Sequence, residues 1–200
     1  MDLGALPAFP HVGNQGSQGS CVAWSIGYYV KTFQEALEHG WDLSTVQMTG
    51  SWPYSPNAQQ DHLMSPTWVY NQINGGVDLG SNPIQAADLI FALGTASWNT
   101  VPYTVSNSSA WPSEAGYREA PLYRGIQPPD TEWCMHYSLV IDTDAEIAIL
   151  KALLAANVPV SISIDAGKYS ALTADDLWNV SNYPKPASTN HANTVVGYTD

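Results

Sequence analysis

The stretch that decides the fold reads Gly13-Asn14-Gln15-Gly16-Ser17-Gln18-Gly19-Ser20-Cys21-Val22-Ala23-Trp24-Ser25. It places a cysteine directly after a glycine- and serine-rich loop, at the start of an apolar run with helical spacing. The unpaired N–H groups and the macrodipole of a helix N-terminus favour the thiolate form of such a residue. Gln15 offers a side-chain amide that can donate toward the same point. The stretch therefore predicts a cysteine nucleophile with part of an oxyanion hole.

Composition and charge restrict the classes of function that the chain can have. Hydrophobic residues make up 44% of its 200 residues and charged residues 12%, which predicts a folded chain of one large domain or two small lobes. Six Lys and Arg against 18 Asp and Glu give a net charge of −12, which argues against nucleic acid and anionic membranes as partners. The sequence contains neither an apolar run of the ~18 residues that a membrane span requires nor a signal-peptide pattern at its start.

Cysteine and histidine usage argues against a metal or other cofactor. The chain has two cysteines, Cys21 and Cys134, and five histidines without an HExxH pairing. A working thiolate at Cys21 cannot sit in a disulfide, so Cys134 is predicted to be a buried or idle thiol. We expect no metal site and no cofactor.

Helices are predicted first and strands later, an order typical of an α+β protein. After a loop over residues 1–20, helical periodicity runs from Cys21 to about His39, with Gly40 as C-cap. Further helices are predicted after the N-cap Ser65, which Pro66 follows, and from Pro83 to Leu93, separated by a loop over residues 74–81 that needs permissive glycines.

The second half of the chain has weaker signals. Residues 98–133 are predicted to form an irregular crossover with short strands. A strand is predicted over residues 137–141, then a helix over residues 145–156 with Asp144 as its cap. Alternating apolar and polar residues predict two more strands, over residues 158–164 and 191–198.

Two segments resemble the catalytic motifs of papain-like cysteine peptidases. The stretch from Gln15 to Ser25 is similar to their active-site segment, and Asn190-His191-Ala192-Asn193-Thr194-Val195-Val196-Gly197-Tyr198 resembles their catalytic-histidine strand. Three supporting motifs lie between them in the family's order: Leu79-Gly80-Ser81, Val101-Pro102-Tyr103 and Pro159-Val160-Ser161-Ile162. The chain looks most like bacterial members of the family.

The resemblance implies a papain-like α+β fold, with a helical lobe over about residues 15–103. A barrel-like β lobe would follow over about residues 104–200, joined by the N-terminal segment. It implies a thiol-dependent endopeptidase acting on peptide or protein substrates through an acyl-enzyme. Cys21 would be the nucleophile, His191 its base and later its acid, and Gln15 an oxyanion donor. Gly80, Ser163 and Ala192 would line the substrate cleft.

The sequence departs from the family pattern in ways that leave alternatives open. Gln18 stands where the family has a disulfide cysteine, and Asn193 is too close to His191 to orient its imidazole. The family's orienting asparagine would follow Asp200, so we expect a fragment truncated at its C-terminus; the alternative is a protein that ends here and is catalytically weakened. The resemblance also implies a propeptide or further domains as partners, and favours a secreted or cell-surface location. A catalytically silent peptide-binding module and a transpeptidase are the alternative functions.

Overall fold

A computed structural model describes residues 1–125, 136–169, 173 and 188–199 of the chain. The central helix of the fold spans residues 21–39 and is called α1. Its first part, Ala23–Lys31, is wound as a π-helix, and its second part, Thr32–His39, is α-helical. Gly40 ends it in the left-handed conformation at φ 67°, as the sequence predicted.

Two further helices pack against α1, and their ends follow local signals in the sequence. Helix α2 spans Pro66–Ile73 and begins where the Ser65 hydroxyl accepts the Trp68 N–H. Helix α3 spans Pro83–Leu93, is capped by Asn82, and ends at Gly94. The predictions for both helices are confirmed.

The buried residues form two neighbouring clusters on either side of α1. One is aromatic: Trp24 of α1 makes edge contacts with Tyr28 and Tyr103 at 4.9 Å between ring centroids, and it also contacts Trp98. The other lies between α1, α2 and α3, where Trp68 and Tyr70 are fully buried. Helix α1 is thereby held on two faces, which fixes the position of its first residue.

The strands form two small antiparallel sheets. Strands β1 (Met48–Thr49) and β2 (Ser55–Pro56) make a short hairpin that the sequence did not predict. Strands β3 (Val160–Ile164) and β4 (His191–Val195) pair in register, with Ile164 opposite His191. The N-terminal segment joins the end of β4, because Leu3 N–H donates to the Val196 carbonyl at 2.7 Å. The class is α+β, and the described residues contain no closed barrel.

Three predictions for the second half need correction. Residues 98–125 contain no extended strand pair but a helix, α4 (Glu114–Glu119), which is too short to show a helical period. Residues 137–141 do not form a strand: they pair with none of the described strands, and Tyr137 and Val140 are exposed. Helix α5 (Asp144–Ala155) is capped by Thr143 and not, as predicted, by Asp144, which is its first residue. The Thr143 hydroxyl and the Glu146 carboxylate form a capping box.

The remaining elements are short. Single 3₁₀ turns occupy Leu3–Ala5, Gln60–His62 and Ala120–Tyr123, and a one-turn helix, α6, spans Ala166–Tyr169 after β3. Among the described helices, none combines the length and the apolar character needed to cross a bilayer.

Candidate active site

Cys21 is the first residue of α1. The Ser20 carbonyl accepts the Trp24 N–H at 3.0 Å, so the helical hydrogen bonds begin at Ser20 and the Cys21 N–H has no acceptor within the helix. The thiol is free and partly exposed. A thiolate here would face the positive end of the helix dipole, and the free N–H can donate to an oxyanion formed beside the sulfur.

Residues 103 and 104 hold the loop before Cys21 through hydrogen bonds. The buried Tyr103 hydroxyl donates to the Gln15 carbonyl at 2.7 Å and lies 2.8 Å from Ser20 Oγ. Gln18 is buried and donates through Nε2 to the Thr104 carbonyl at 3.1 Å. Tyr103 lies in one of the supporting family motifs, but its contact with this loop could not be read from the sequence.

The Gln15 side chain is oriented by its own loop. Its Nε2 donates to the Gln18 carbonyl at 2.9 Å. An amide nitrogen carries two hydrogens, so one N–H of Gln15 remains for another acceptor. The second N–H gives Gln15 the capacity that an oxyanion donor needs.

His191 begins β4, on the other side of the cleft from α1. It pairs with Ile164 of β3, and Asn190 N–H donates to the Ile164 carbonyl at 2.9 Å, which fixes the backbone at the start of the strand. Partial burial lowers the pKa of His191, because the charged imidazolium loses solvation there. The neutral imidazole, which can accept a proton, is thereby favoured near neutral pH.

Two cavities meet at Cys21 and His191. The first has a volume of about 340 Å³ and is also lined by Gln15, Ala192 and Asn193. The second has a volume of about 240 Å³, and its other lining residues include Gly80, Ser163 and Ala192. The structure thus brings together all six residues that the sequence singled out: Gln15, Cys21, Gly80, Ser163, His191 and Ala192.

A buried serine that the sequence did not single out joins α1 to the sheet. Ser25 lies one turn after Cys21 and is 1% exposed. Its Oγ lies 2.8 Å from Ser161 Oγ on β3, and 2.9 Å from both the Asn193 carbonyl and Thr194 Oγ1 on β4. These contacts fix the start of α1 relative to the strand that carries His191.

Other candidate groups are absent from the described site or lie outside it. The described residues contain no cluster of three His, Cys, Asp or Glu side chains that could hold a metal ion. Asn193 sits on β4 two residues after His191, as predicted from its position in the sequence. Cys134, predicted to be a buried or idle thiol, lies outside the described residues.

Comparison with known proteins shows a likeness in structure. No model of a protein family matches the sequence, and no curated protein matches it either. Among solved structures, the chain is similar to xylellain, a cysteine protease from Xylella fastidiosa, with a TM-score of 0.62 at 20% sequence identity. The match covers 96% of this chain and 66% of xylellain. The fold is therefore of the kind found in a known cysteine protease, of whose length this chain spans less than two thirds.

Proposed function

We propose that the chain carries the catalytic dyad of a papain-like thiol endopeptidase, with Cys21 as nucleophile and His191 as base. The observation that carries the proposal is that both residues, which come from different elements, line the same two cavities. The fold likeness to a cysteine protease supports it. In this proposal the helical lobe spans about residues 15–103 and the β lobe about residues 104–200, joined by the N-terminal segment.

The proposed reaction uses the first residue of α1, Cys21, and the first residue of β4, His191. His191 accepts the thiol proton, and the Cys21 sulfur attacks the carbonyl carbon of the scissile peptide bond. The negative charge moves to the carbonyl oxygen, which accepts hydrogen bonds from Cys21 N–H and Gln15 Nε2. His191 then gives its proton to the leaving amine as the C–N bond breaks, which leaves a thioester on Cys21. Water, deprotonated by His191, hydrolyses the thioester and restores the thiol.

The second cavity is the proposed site for the substrate on the acyl side of the scissile bond. Gly80 has φ +97°, a conformation that strains residues with a side chain. A Cβ at this position would meet open space, so backbone conformation, and not crowding, favours glycine here. The lining of the cavity is mixed: Val22, Pro83 and Ala192 are apolar, and Ser81, Ser163 and Thr189 are polar. We propose that it accepts the side chain of the residue two before the cleaved bond.

Labelling of Cys21 tests the proposed function directly. A peptidyl epoxide inhibitor should alkylate Cys21 at low micromolar concentration, because the thiolate opens the epoxide ring and keeps the whole inhibitor as added mass. Mass spectrometry of tryptic peptides identifies the labelled cysteine. Cys134 in the same chain serves as the internal comparison, and Cys21→Ser and His191→Ala serve as control variants.

The outcomes separate the proposed function from its alternatives. Labelling confined to Cys21 and lost in both variants supports the dyad. A folded sample whose Cys21 reacts no faster than Cys134 refutes the peptidase proposal and favours the peptide-binding module. Ligated product in the presence of an added amine acceptor, in place of hydrolysis, would instead identify a transpeptidase.

A further inference from the structure

The loop that precedes Cys21 touches a second loop, over residues 74–81, backbone against backbone. A Cβ added to Gly19 would lie 2.8 Å from the Gly80 nitrogen and 3.1 Å from the Gly80 Cα, so only glycine allows this approach. Gly19 is two residues before the nucleophile, and Gly80 lines the second cavity beside it. The distance between these two loops therefore determines where the thiol lies relative to the cleft wall.

One carboxylate joins the two loops. Asp78 Oδ1 accepts the Gly19 N–H at 2.7 Å and the Tyr70 hydroxyl at 2.5 Å. The Tyr70 hydroxyl in turn lies 3.4 Å from the Gly80 nitrogen, which donates to it. Gly19, Asp78, Tyr70 and Gly80 thus form a continuous set of hydrogen bonds, which we call the Asp78 clamp.

The clamp has a rigid base in α2. Tyr70 is a fully buried residue of α2, and its hydroxyl contacts Asp78 and Gly80 of the second loop. Burial, and then the hydrogen bond to the Asp78 carboxylate, raise the pKa of Tyr70, so its hydroxyl stays protonated and donates. No salt bridge found among the described residues includes Asp78, so the carboxylate is balanced by hydrogen-bond donors.

The loop that carries Asp78 is also fixed at its beginning. Asn74 is buried, donates through Nδ2 to the Ser108 carbonyl at 2.7 Å, and accepts the Gly76 N–H at 2.8 Å. Gly75 and Gly76 both have positive φ, which lets the loop turn back toward Gly19. Gln18, the residue before Gly19, directs its amide to Thr104 instead. Asp78 therefore supplies a side-chain hydrogen bond from the 74–81 loop to the nucleophile loop, beside the backbone contact of Gly19 with Gly80.

We propose that Asp78 is a positioning residue for Cys21, one that aligns the thiol with a peptide bound along Gly80. This inference rests on the proposed peptidase function. The carboxylate does not contact the substrate; it holds the Gly19 backbone, and with it the start of α1, against the cleft wall. An acceptor oxygen at this position is the feature that matters, so asparagine should replace aspartate and alanine should not.

The test combines amide exchange with inactivation kinetics. Asp78→Ala should speed hydrogen exchange of the Gly19 amide at least tenfold, measured by two-dimensional NMR, since that N–H loses its acceptor. The same variant should lower the maximal inactivation rate kinact with a peptidyl epoxide at least tenfold per folded molecule. The binding constant KI should stay within threefold, as should the rate of alkylation by iodoacetamide, which needs no alignment with a bound peptide. Asp78→Asn should stay within threefold of the wild type in every measurement.

Asp42→Ala is the matched control, because Asp42 likewise accepts a backbone N–H, from Ser44 at 2.9 Å, in an exposed turn. It should leave both Gly19 exchange and kinact unchanged. Unaltered kinact in folded Asp78→Ala, or equal impairment in Asp78→Asn, would overturn the positioning role. Failure of the wild type to react with the epoxide would instead contradict the peptidase proposal, while Gly19 exchange still reports whether the clamp exists.

Discussion

Replacing Ser25 with alanine tests whether this buried hydroxyl holds α1 against the sheet. Ser25 Oγ has three oxygen neighbours within 2.9 Å, on Ser161, Asn193 and Thr194. A hydrogen bond contributes about 1 kcal/mol net, and a buried partner left unsatisfied costs about 1–3 kcal/mol. Ser161 and Thr194 are only partly buried, so water can replace some of the lost contacts. We therefore expect a loss of about 2 kcal/mol in the free energy of unfolding.

Urea denaturation measures this loss. With a slope of about 2 kcal/mol per M, typical for small proteins, Ser25→Ala should lower the midpoint by about 1 M. Ser51→Ala, at an exposed position, should change the free energy of unfolding by less than about 0.5 kcal/mol. A double-mutant cycle with Thr194→Val should give a coupling energy of at least about 0.5 kcal/mol, because the two side chains share a contact. The reasoning is refuted if Ser25→Ala and Ser51→Ala unfold at the same midpoint.

Three further predictions concern the cleft and its support. Gly94→Ala should lower the free energy of unfolding in urea by about 3 kcal/mol or more. The backbone at Gly94 has φ +86°, and the new Cβ would lie 1.8 Å from the Ala120 carbonyl oxygen. A smaller loss than that caused by Gly40→Ala would contradict this prediction. Gln15→Ala should lower kcat for peptide hydrolysis about 10²–10³-fold and leave alkylation by iodoacetamide unchanged, because alkylation forms no oxyanion. Burial lowers the pKa of His191 in the folded chain below the value of about 6.5 for a histidine in the unfolded chain. Between these two pKa values the unfolded chain binds more protons than the folded chain. The free energy of unfolding therefore rises as the pH rises through this range. His191→Asn should therefore show a shallower rise in the free energy of unfolding between about pH 5 and 7, and an unchanged slope would exclude the effect.

The sequence identified the helices whose ends carry local signals. Ser65 with Pro66 begins α2, and Gly40 and Gly94 end α1 and α3, all as predicted. These signals act within one turn of the chain, so they can be read without knowledge of the fold. Helix α4 has six residues, and its first turn depends on the Ser113 hydroxyl, which accepts the Gly116 N–H at 3.3 Å. A segment this short has no measurable period, which explains why it was missed.

The strand predictions show where local pattern fails. Residues 137–141 have the aromatic and β-branched content of a strand, yet strand formation requires a neighbouring strand with which to share hydrogen bonds. Strand β3 has such a neighbour in β4, and the alternation there correctly predicted an extended segment. Local strand signals thus succeeded or failed according to a long-range pairing that no local window contains.

The residues proposed to carry the chemistry were easier to identify in the sequence than the residues that contact them. Cys21 and His191 stand out because they lie in distinctive local sequences, at a helix start and a strand start. No role was assigned from the sequence to Ser25 or Asp78, and Tyr103 was noted only as part of a motif; each has at least one partner 59 to 169 positions away. Their roles follow only from the contacts made in the folded chain.

The N-terminal segment shows that the walls of the site also depend on contacts between residues far apart in the sequence. Residues 1–20 were predicted to be a plain loop, and they contain no strand and only one 3₁₀ turn. Yet the Leu3 N–H donates to Val196 beyond the end of β4, and the Tyr198 N–H donates to the Met1 carbonyl at 3.0 Å. Further along the same segment, Phe9 and Val12 line the first cavity with Cys21. Contacts with α1 hold this wall as well: the Tyr28 hydroxyl donates to the His11 carbonyl at 2.9 Å, and the Gly13 N–H donates to the Tyr29 hydroxyl at 3.0 Å. Because the segment has no regular structure of its own, its shape depends on these contacts with β4 and α1.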